Sequence, residues 1–129
     1  MGSEQVGWLA PLPPPLKEYE FQQQITGKKP AGLAVILGWE HVHFRPAMTK
    51  HGWRTPGTGS LAKGWPDLSL FRERDGRIIF AELKSDKGSL TPDEKRVLDV
   101  LRAVAVFNPL MEVHVWKPKD WDEIERVLR

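Results

Sequence analysis

Hydrophobic residues recur along the chain with two periods, one typical of helices and one typical of strands. The helical period predicts helices over residues 16–25, 31–37, 91–105 and 120–129. Alternation and short apolar runs predict strands over residues 39–44, 66–71, 77–84 and 111–116. With the first two helices taken as one region, the order α-β-β-β-α-β-α favours an α/β fold in which helices flank a central mixed four-stranded sheet.

Turn and capping residues mark the boundaries of two of these elements. Asp75-Gly76 is a pair typical of tight hairpin turns, so the strands on either side are expected to be antiparallel neighbours. Thr91, Pro92 and Glu94 predict a helix start. The threonine can cap the helix, the proline suits its first position, and the glutamate completes a capping box.

Glycine and proline residues set two segments apart. Residues 1–15 end in a proline-rich run, which predicts an extended arm before a single domain over residues 16–129. Residues 45–64 are rich in glycine and proline and are predicted to form a long loop. Loops of that length inside compact domains are often functional.

Composition narrows the class of protein. A chain of 129 residues with 40% hydrophobic and 28% charged residues is typical of a globular domain. There are no cysteines, which excludes disulfides and thiolate metal sites and fits a reducing cytoplasm. We expect no membrane span and no signal peptide, because no apolar run is long enough.

Three charged residues lie at neighbouring ends of the two strands that flank the hairpin turn. Asp67 begins one strand, and Glu82 and Lys84 end the other. Glu82 and Lys84 share one face, because side chains alternate along a strand. The end of an antiparallel strand lies beside the start of its partner, so these three residues are expected to converge at one edge of the sheet.

Such an edge suits a hard divalent cation. Two neighbouring carboxylates repel each other, and Mg²⁺ relieves that repulsion while it keeps several waters. We predict that Asp67, Glu82 and the carbonyl oxygen of Leu83 bind Mg²⁺, with a substrate phosphate and waters completing the shell. The cation would activate a water, and Lys84 would hold that water and stabilise the transition state.

Two other interpretations of these polar residues stay open. Asp67 can end a turn while Glu82 forms an ion pair with Lys84 on a solvated strand. His41 and His43 share one strand face and could bind zinc, although no cysteine or matched carboxylate completes such a site.

Three short segments around the charged residues form a wider pattern. They are Gly64-Trp65-Pro66-Asp67-Leu68, Phe80-Ala81-Glu82-Leu83-Lys84-Ser85 and Gly88-Ser89-Leu90-Thr91-Pro92. With these segments the sequence resembles the VRR-NUC branch of the PD-(D/E)XK nucleases, in particular its small stand-alone phage and bacterial members. The likeness covers roughly residues 17–129.

The resemblance implies a restriction-endonuclease-like fold and hydrolysis of DNA phosphodiesters that depends on Mg²⁺ or Mn²⁺. It implies metal binding by Asp67 and Glu82 and a catalytic role for Lys84. Glu18 matches the helix glutamate of the family, with Glu20 as the alternative. Stand-alone members are associated with cleavage of Holliday junctions and with homodimers. Branched DNA and a homodimer are therefore the expected substrate and assembly, since resolving a junction needs two paired cuts.

The sequence departs from the family pattern at two places. Glu94 stands where the family usually has a glutamine, which puts the helper role of that position in doubt. Residues 27–30 interrupt the first helical region and affect the expected placement of Glu18.

A group of basic residues is expected to border the DNA path, because cations that contact phosphates supply most of the affinity for nucleic acid. The group comprises Arg45, Lys50, His51, Arg54, Lys63 and Lys87. The alternative is a solvated loop without a binding role.

The predicted function is therefore that of a metal-dependent endonuclease in the cytoplasm of a bacterial or phage-infected cell. Two alternatives remain. One is a catalytically silent DNA-binding module of the same fold, and the other is a nuclease subunit that needs a partner for target choice.

Overall fold

The computed structural model describes residues 17–44, 47–50, 52–54 and 57–129. The helices are α1 (Glu18–Thr26), α2 (Leu33–Ile36), α3 (Pro92–Ala105) and α4 (Trp121–Leu128), the last preceded by a 3₁₀ turn, Pro118–Asp120. The strands are β1 (Glu40–Val42), β2 (Ala47–Thr49), β3 (Gly52–Arg54), β4 (Leu68–Arg72), β5 (Arg77–Leu83) and β6 (Met111–Trp116). None of the described helices is long and apolar enough to cross a membrane.

Four of the strands form one mixed sheet in the order β1-β4-β5-β6. Strand β4 pairs antiparallel with both β1 and β5, and β5 pairs in parallel with β6. A parallel pair needs a long crossover, which here contains α3. The prediction of a restriction-endonuclease-like α/β fold, with a mixed four-stranded sheet between helices, is confirmed.

The main core fills one face of this sheet. Leu68 and Leu70 of β4 lie across from Ala81 and Ile79 of β5, and all four are 0% exposed. Helices α1, α2 and α4 cover them with apolar side chains. The complete cluster is Phe21, Ile25, Ala34, Trp39, Leu68, Leu70, Ile79, Ala81, Leu83, Trp116, Ile124 and Leu128.

Helix α3 lies on the opposite face. It buries Val97, Leu98 and Leu101 and contacts β6. The predicted capping box is confirmed: the Thr91 hydroxyl accepts a hydrogen bond from the Glu94 N–H, and the Glu94 carboxylate accepts one from the Thr91 N–H. The start of α3 is therefore held by its own side chains.

The predicted loop over residues 45–64 was wrong in part. Strands β2 and β3 pair antiparallel there, with Met48 opposite Trp53, and form a separate two-stranded sheet. Each strand has three residues, which is too short for a period of two to be recognised among glycines and prolines. The predicted arm, residues 1–15, lies outside the described residues.

Arg72 ties the C-terminal helix to the sheet. It is 3% exposed, and its guanidinium donates to the carbonyl oxygen of Leu128 at 2.9 Å and to the Asp75 carboxylate at 2.8 Å. The guanidinium lies 4.4 Å from the centre of the Trp39 ring, and the Trp39 indole N–H also donates to Leu128 at 2.9 Å. The Leu128 carbonyl, which lies at the end of α4, is thus bonded by the side chains of Arg72 and Trp39.

We expect Arg72→Ala to lower the free energy of unfolding by about 3 kcal/mol, because it removes a buried guanidinium that donates to the carbonyl oxygens of Leu37, Leu128 and Arg129. Urea denaturation monitored by tryptophan fluorescence measures this change. The matched control is Arg74→Ala, which removes an exposed arginine nearby and should change stability by less than about 0.5 kcal/mol. Equal effects of the two variants would contradict the anchoring role of Arg72.

Candidate active site

The register of the β4–β5 hairpin brings the two predicted metal carboxylates together. Leu68 pairs with Ala81, so Asp67, one residue earlier, lies across from Glu82. Both point to the face opposite the main core, because neighbouring residues Leu68 and Ala81 point into that core. Asp67, Glu82 and Lys84 lie close together at one edge of the sheet, as the sequence predicted.

The side chain of Asp67 accepts a backbone hydrogen bond just beyond the last pair of the β4–β5 ladder. Strand β4 begins at Leu68, and Leu83 lies beyond that paired region. The Leu83 N–H donates to Asp67 Oδ2 at 2.8 Å. The Leu83 backbone thereby holds Asp67 Oδ2 in place, in the segment that follows Glu82. Asp67 Oδ1 takes no part in this hydrogen bond.

Glu82 is the most deeply buried acid of the site. It is 2% exposed, and its Oε2 atom finds no hydrogen-bond donor among the described residues. Burial, and after it the hydrogen bond with Asp67 and the charge of Asp67, together raise the pKa of Glu82 to about 10. A carboxyl group in this position either keeps its proton or binds a cation.

Lys84 is paired with Glu94 rather than with Glu82. The Lys84 Nζ atom lies 2.8 Å from Glu94 Oε1 and 3.0 Å from Oε2. Burial disfavours the ammonium, but the hydrogen bond and charge of Glu94, with Glu82 adding its charge, outweigh it and raise the pKa of Lys84. The solvated ion pair between Glu82 and Lys84 is therefore not the arrangement in this structure.

Glu94 is the functional neighbour that sequence reasoning did not assign. Its carboxylate both closes the capping box of α3 and receives the Lys84 ammonium. Burial opposes its charge, but the hydrogen bond from Lys84 and the one from the Thr91 backbone lower the pKa of Glu94. The sequence did mark this position, because it has Glu94 where the family usually has a glutamine. That Glu94 binds Lys84, however, is decided by the packing of the first turn of α3 beside the end of β5.

Gly64 fixes the approach of the Asp67 segment to α3. Its φ angle is +94°, and a Cβ atom there would lie 2.6 Å from the Asp93 carbonyl carbon and oxygen. The same atom would lie 2.8 Å from the Glu94 nitrogen. The chain just before Asp67 thus packs directly on the first turn of α3, which carries Glu94.

Glu18 is the helix glutamate that the structure brings to the site. Partial burial raises the pKa of Glu18, followed by the charge of Asp67, whereas Lys84 lowers it. Its carboxylate is therefore within electrostatic reach of the other charged groups. Glu20 lies two positions further along α1, where a side chain faces another direction.

Three of the basic residues predicted to border DNA, Lys50, Lys63 and Lys87, have described side chains. Lys63 is exposed and lies 3.3 Å from Asp93, while Lys50 and Lys87 are also exposed. Arg54 is the last residue of β3. Arg45 and His51 lie outside the described residues. Their role in DNA binding stays a prediction.

The histidine alternative has little geometric support. The His41 and His43 rings stack with centroids 6.2 Å apart. Within the described ranges, no group of three or more His, Cys, Asp or Glu residues lies close enough to hold a metal by side chains alone. Two carboxylates and a carbonyl fit Mg²⁺ better, because it binds through one or two carboxylates and retains waters.

Comparison with known proteins identifies a family and leaves the substrate open. The model of one family, the VRR-NUC domain, matches residues 26–114. The match contains Asp67, Glu82, Lys84 and Glu94, whereas Glu18 precedes it. It confirms the family predicted from the sequence and indicates a nuclease. No curated protein and no solved structure matches the chain.

We expect Gly64→Ala to destabilise the protein more than Gly59→Ala, by about 1–3 kcal/mol, which is the usual cost of overpacking. Gly59 is a matched control because its φ angle is +116° and nothing lies within 4 Å of a Cβ atom built there. Both variants carry conformational strain, but Gly64→Ala alone meets backbone. Chemical denaturation of the two variants measures the difference, and equal stability would argue against the close contact with α3.

Proposed function

The chain belongs to the VRR-NUC domain family, and from this premise we propose that it is a divalent-metal-dependent endonuclease acting on DNA. The observation that carries the proposal is Asp67 lying across from the buried Glu82, with Lys84 directly after the end of β5. Two acids and a cation at one sheet edge form a site that can bind a metal ion and a phosphate together.

The donor set fits Mg²⁺ or Mn²⁺. Glu82 Oε2 is buried with no donor in the described part of the chain, and the Asp67 carboxylate lies beside it. Asp67, Glu82 and the Leu83 carbonyl oxygen would hold the ion, and waters and a substrate phosphate would fill the remaining positions. When bound, the ion would lower the pKa of a water and offset negative charge on the phosphate.

Lys84 is suited to stabilising charge. Its pKa is raised, so the side chain carries an ammonium at neutral pH. Its side chain is only 13% exposed and is held by Glu94. A preorganised ammonium next to a phosphate stabilises charge that develops on the phosphate oxygens and on the leaving group. We assign this role to Lys84 rather than that of a general base.

The surrounding acids would position these groups. Glu94 holds the Lys84 ammonium while it also fixes the start of α3. Glu18 lies near enough to interact with Asp67 and Lys84, and we propose that it orders water at the site. Both are positioning residues, because neither is required to touch the phosphate.

The substrate is proposed to be branched DNA, with Holliday junctions as one candidate, cut by a homodimer. A single small domain cuts one strand at a time, and paired cuts in a junction require two sites related by symmetry. Lys50, Arg54, Lys63 and Lys87, together with Arg45 and His51, would contact phosphates around the site.

We expect Asp67→Asn to reduce DNA cleavage by at least roughly 100-fold while DNA affinity changes little. The asparagine keeps an oxygen that can accept the Leu83 N–H but removes the charge that would bind the metal. Cleavage of labelled DNA in Mg²⁺, in Mn²⁺ and in EDTA measures the effect, and EDTA should abolish cutting by the native chain.

The matched control for this variant is Asp99→Asn, which changes an exposed aspartate on α3 and should cut normally. Native-like cleavage by Asp67→Asn would remove the proposed metal role. Binding lost together with cleavage would instead point to a folding defect.

Branched DNA is expected to be cut in preference to linear duplex of the same sequence. Linear, flapped and four-way DNA, each incubated with the native chain and Mg²⁺, give the comparison. Binding without cleavage would support a silent DNA-binding module. Cleavage that appears only after addition of another protein would support a subunit that depends on a partner.

A further inference from the structure

A cavity of about 740 Å³ lies on the sheet face that carries the carboxylates. Helix α3 packs over the β6 side of this face, and none of the described helices covers the β1 and β4 side. Residues 57–62 form the opposite wall. Volumes of this size are typical of pockets for small ligands, and a DNA duplex would not enter one.

Four aromatic side chains line this cavity, which we call the aromatic pocket. Phe44, Trp65, Phe71 and Phe80 all line it. Trp65 and Phe80 meet edge to face with ring centres 5.6 Å apart. Phe44 is 45% exposed and Phe71 is 40% exposed, so both present ring surface to the pocket rather than to the main core.

The pocket lies next to the candidate active site along strands β4 and β5. Ser69, on its floor, follows Asp67 by two residues on the same face, about 7 Å along the strand. Phe80 precedes Glu82 by two residues in the same way, and it pairs with Ser69. A phosphate bound at the two carboxylates would therefore leave a neighbouring nucleotide within reach of the pocket.

We propose that the aromatic pocket takes one unpaired base of the DNA substrate. The inference rests on the proposed nuclease function and specifies its substrate class as DNA with a nucleotide that is free of its partner. Aromatic faces stack on any base, so the pocket would select an unpaired nucleotide without selecting its sequence. The hydroxyls of Thr58, Ser60 and Ser69 line the same pocket and can bond to base edges.

A base fits the pocket better than a second copy of the chain would. The pocket is a local concavity that opens beside the carboxylates. A stable dimer needs a much larger complementary surface, about 800 Å² on each partner. Residues 57–62, which form one wall of the pocket, are followed by the exposed Lys63. Its positive charge suits an anionic ligand.

The test compares two DNA duplexes that each carry one unpaired nucleotide at the same position. One has adenine there, and the other has an abasic site, so the base is the single difference. Binding is measured by fluorescence anisotropy in EDTA with the full chain. We expect the native chain to bind the adenine-bearing DNA roughly 5- to 100-fold more tightly, the range that stacking on aromatic side chains provides.

Variants of the exposed rings locate the effect. Phe44→Ala and Phe71→Ala should each bring the two affinities closer together, whereas Phe71→Tyr should keep the native difference because it retains the ring. Phe107→Ala is the matched control. Phe107 is 85% exposed and lines a different cavity that shares no residue with the aromatic pocket.

Three results would overturn the proposal. The first is equal affinity of the native chain for adenine-bearing and abasic DNA. The second is a native difference that survives in both alanine variants. The third is a change of oligomeric state in Phe71→Ala by sedimentation equilibrium, which would make the pocket an interface between copies.

Loss of cleavage in Asp67→Asn with equal binding of the two DNAs would refute the pocket alone. Retained cleavage in Asp67→Asn would refute the proposed metal role instead.

Discussion

The register between β4 and β5 is the constraint from which the rest of the site follows. Leu68 and Leu70 must face Ala81 and Ile79 in the main core, where all four are fully buried. A shift by one residue would turn these side chains to the other face of the sheet. Burial of apolar residues on one face therefore sets the position of Asp67 across from Glu82 on the other. The chemistry of the site is in this sense a consequence of core packing.

A second constraint comes from the start of α3. Its first turn contacts the backbone at Gly64, and its Glu94 side chain holds Lys84. The capping box fixes Glu94 in the orientation that makes both interactions possible. One helix start thus positions the segment before Asp67 and the ammonium after Glu82. The carboxylate at position 94, where the family usually has an amide, adds an ion pair to this arrangement.

The charge balance of the site is the physical reason for the proposed cation. Glu18, Asp67, Glu82 and Glu94 surround the single ammonium of Lys84. An excess of carboxyl groups would repel a DNA phosphate. A divalent ion between Asp67 and Glu82 would reverse that repulsion, and exposed lysines further away would attract the strand. The aromatic pocket lies on the same face, so a bound strand could present its phosphate and a base to adjoining surfaces.

The sequence alone predicted most of the elements, the family and the three charged residues that the structure brings together. Apolar periodicity, the Asp75-Gly76 turn and the capping residues of α3 are local signals, so they predicted most of the sheet and its flanking helices before any contact was known. The spacing of Asp67, Glu82 and Lys84 across a hairpin likewise brought these residues to one edge. Tertiary structure decided the short β2–β3 hairpin, the partner of Lys84, the nearness of Glu18 to Asp67 and Lys84, and the aromatic pocket. Each depends on which surfaces of distant segments meet, because burial, ion pairing and cavity shape are properties of packed side chains and not of spacing along the chain.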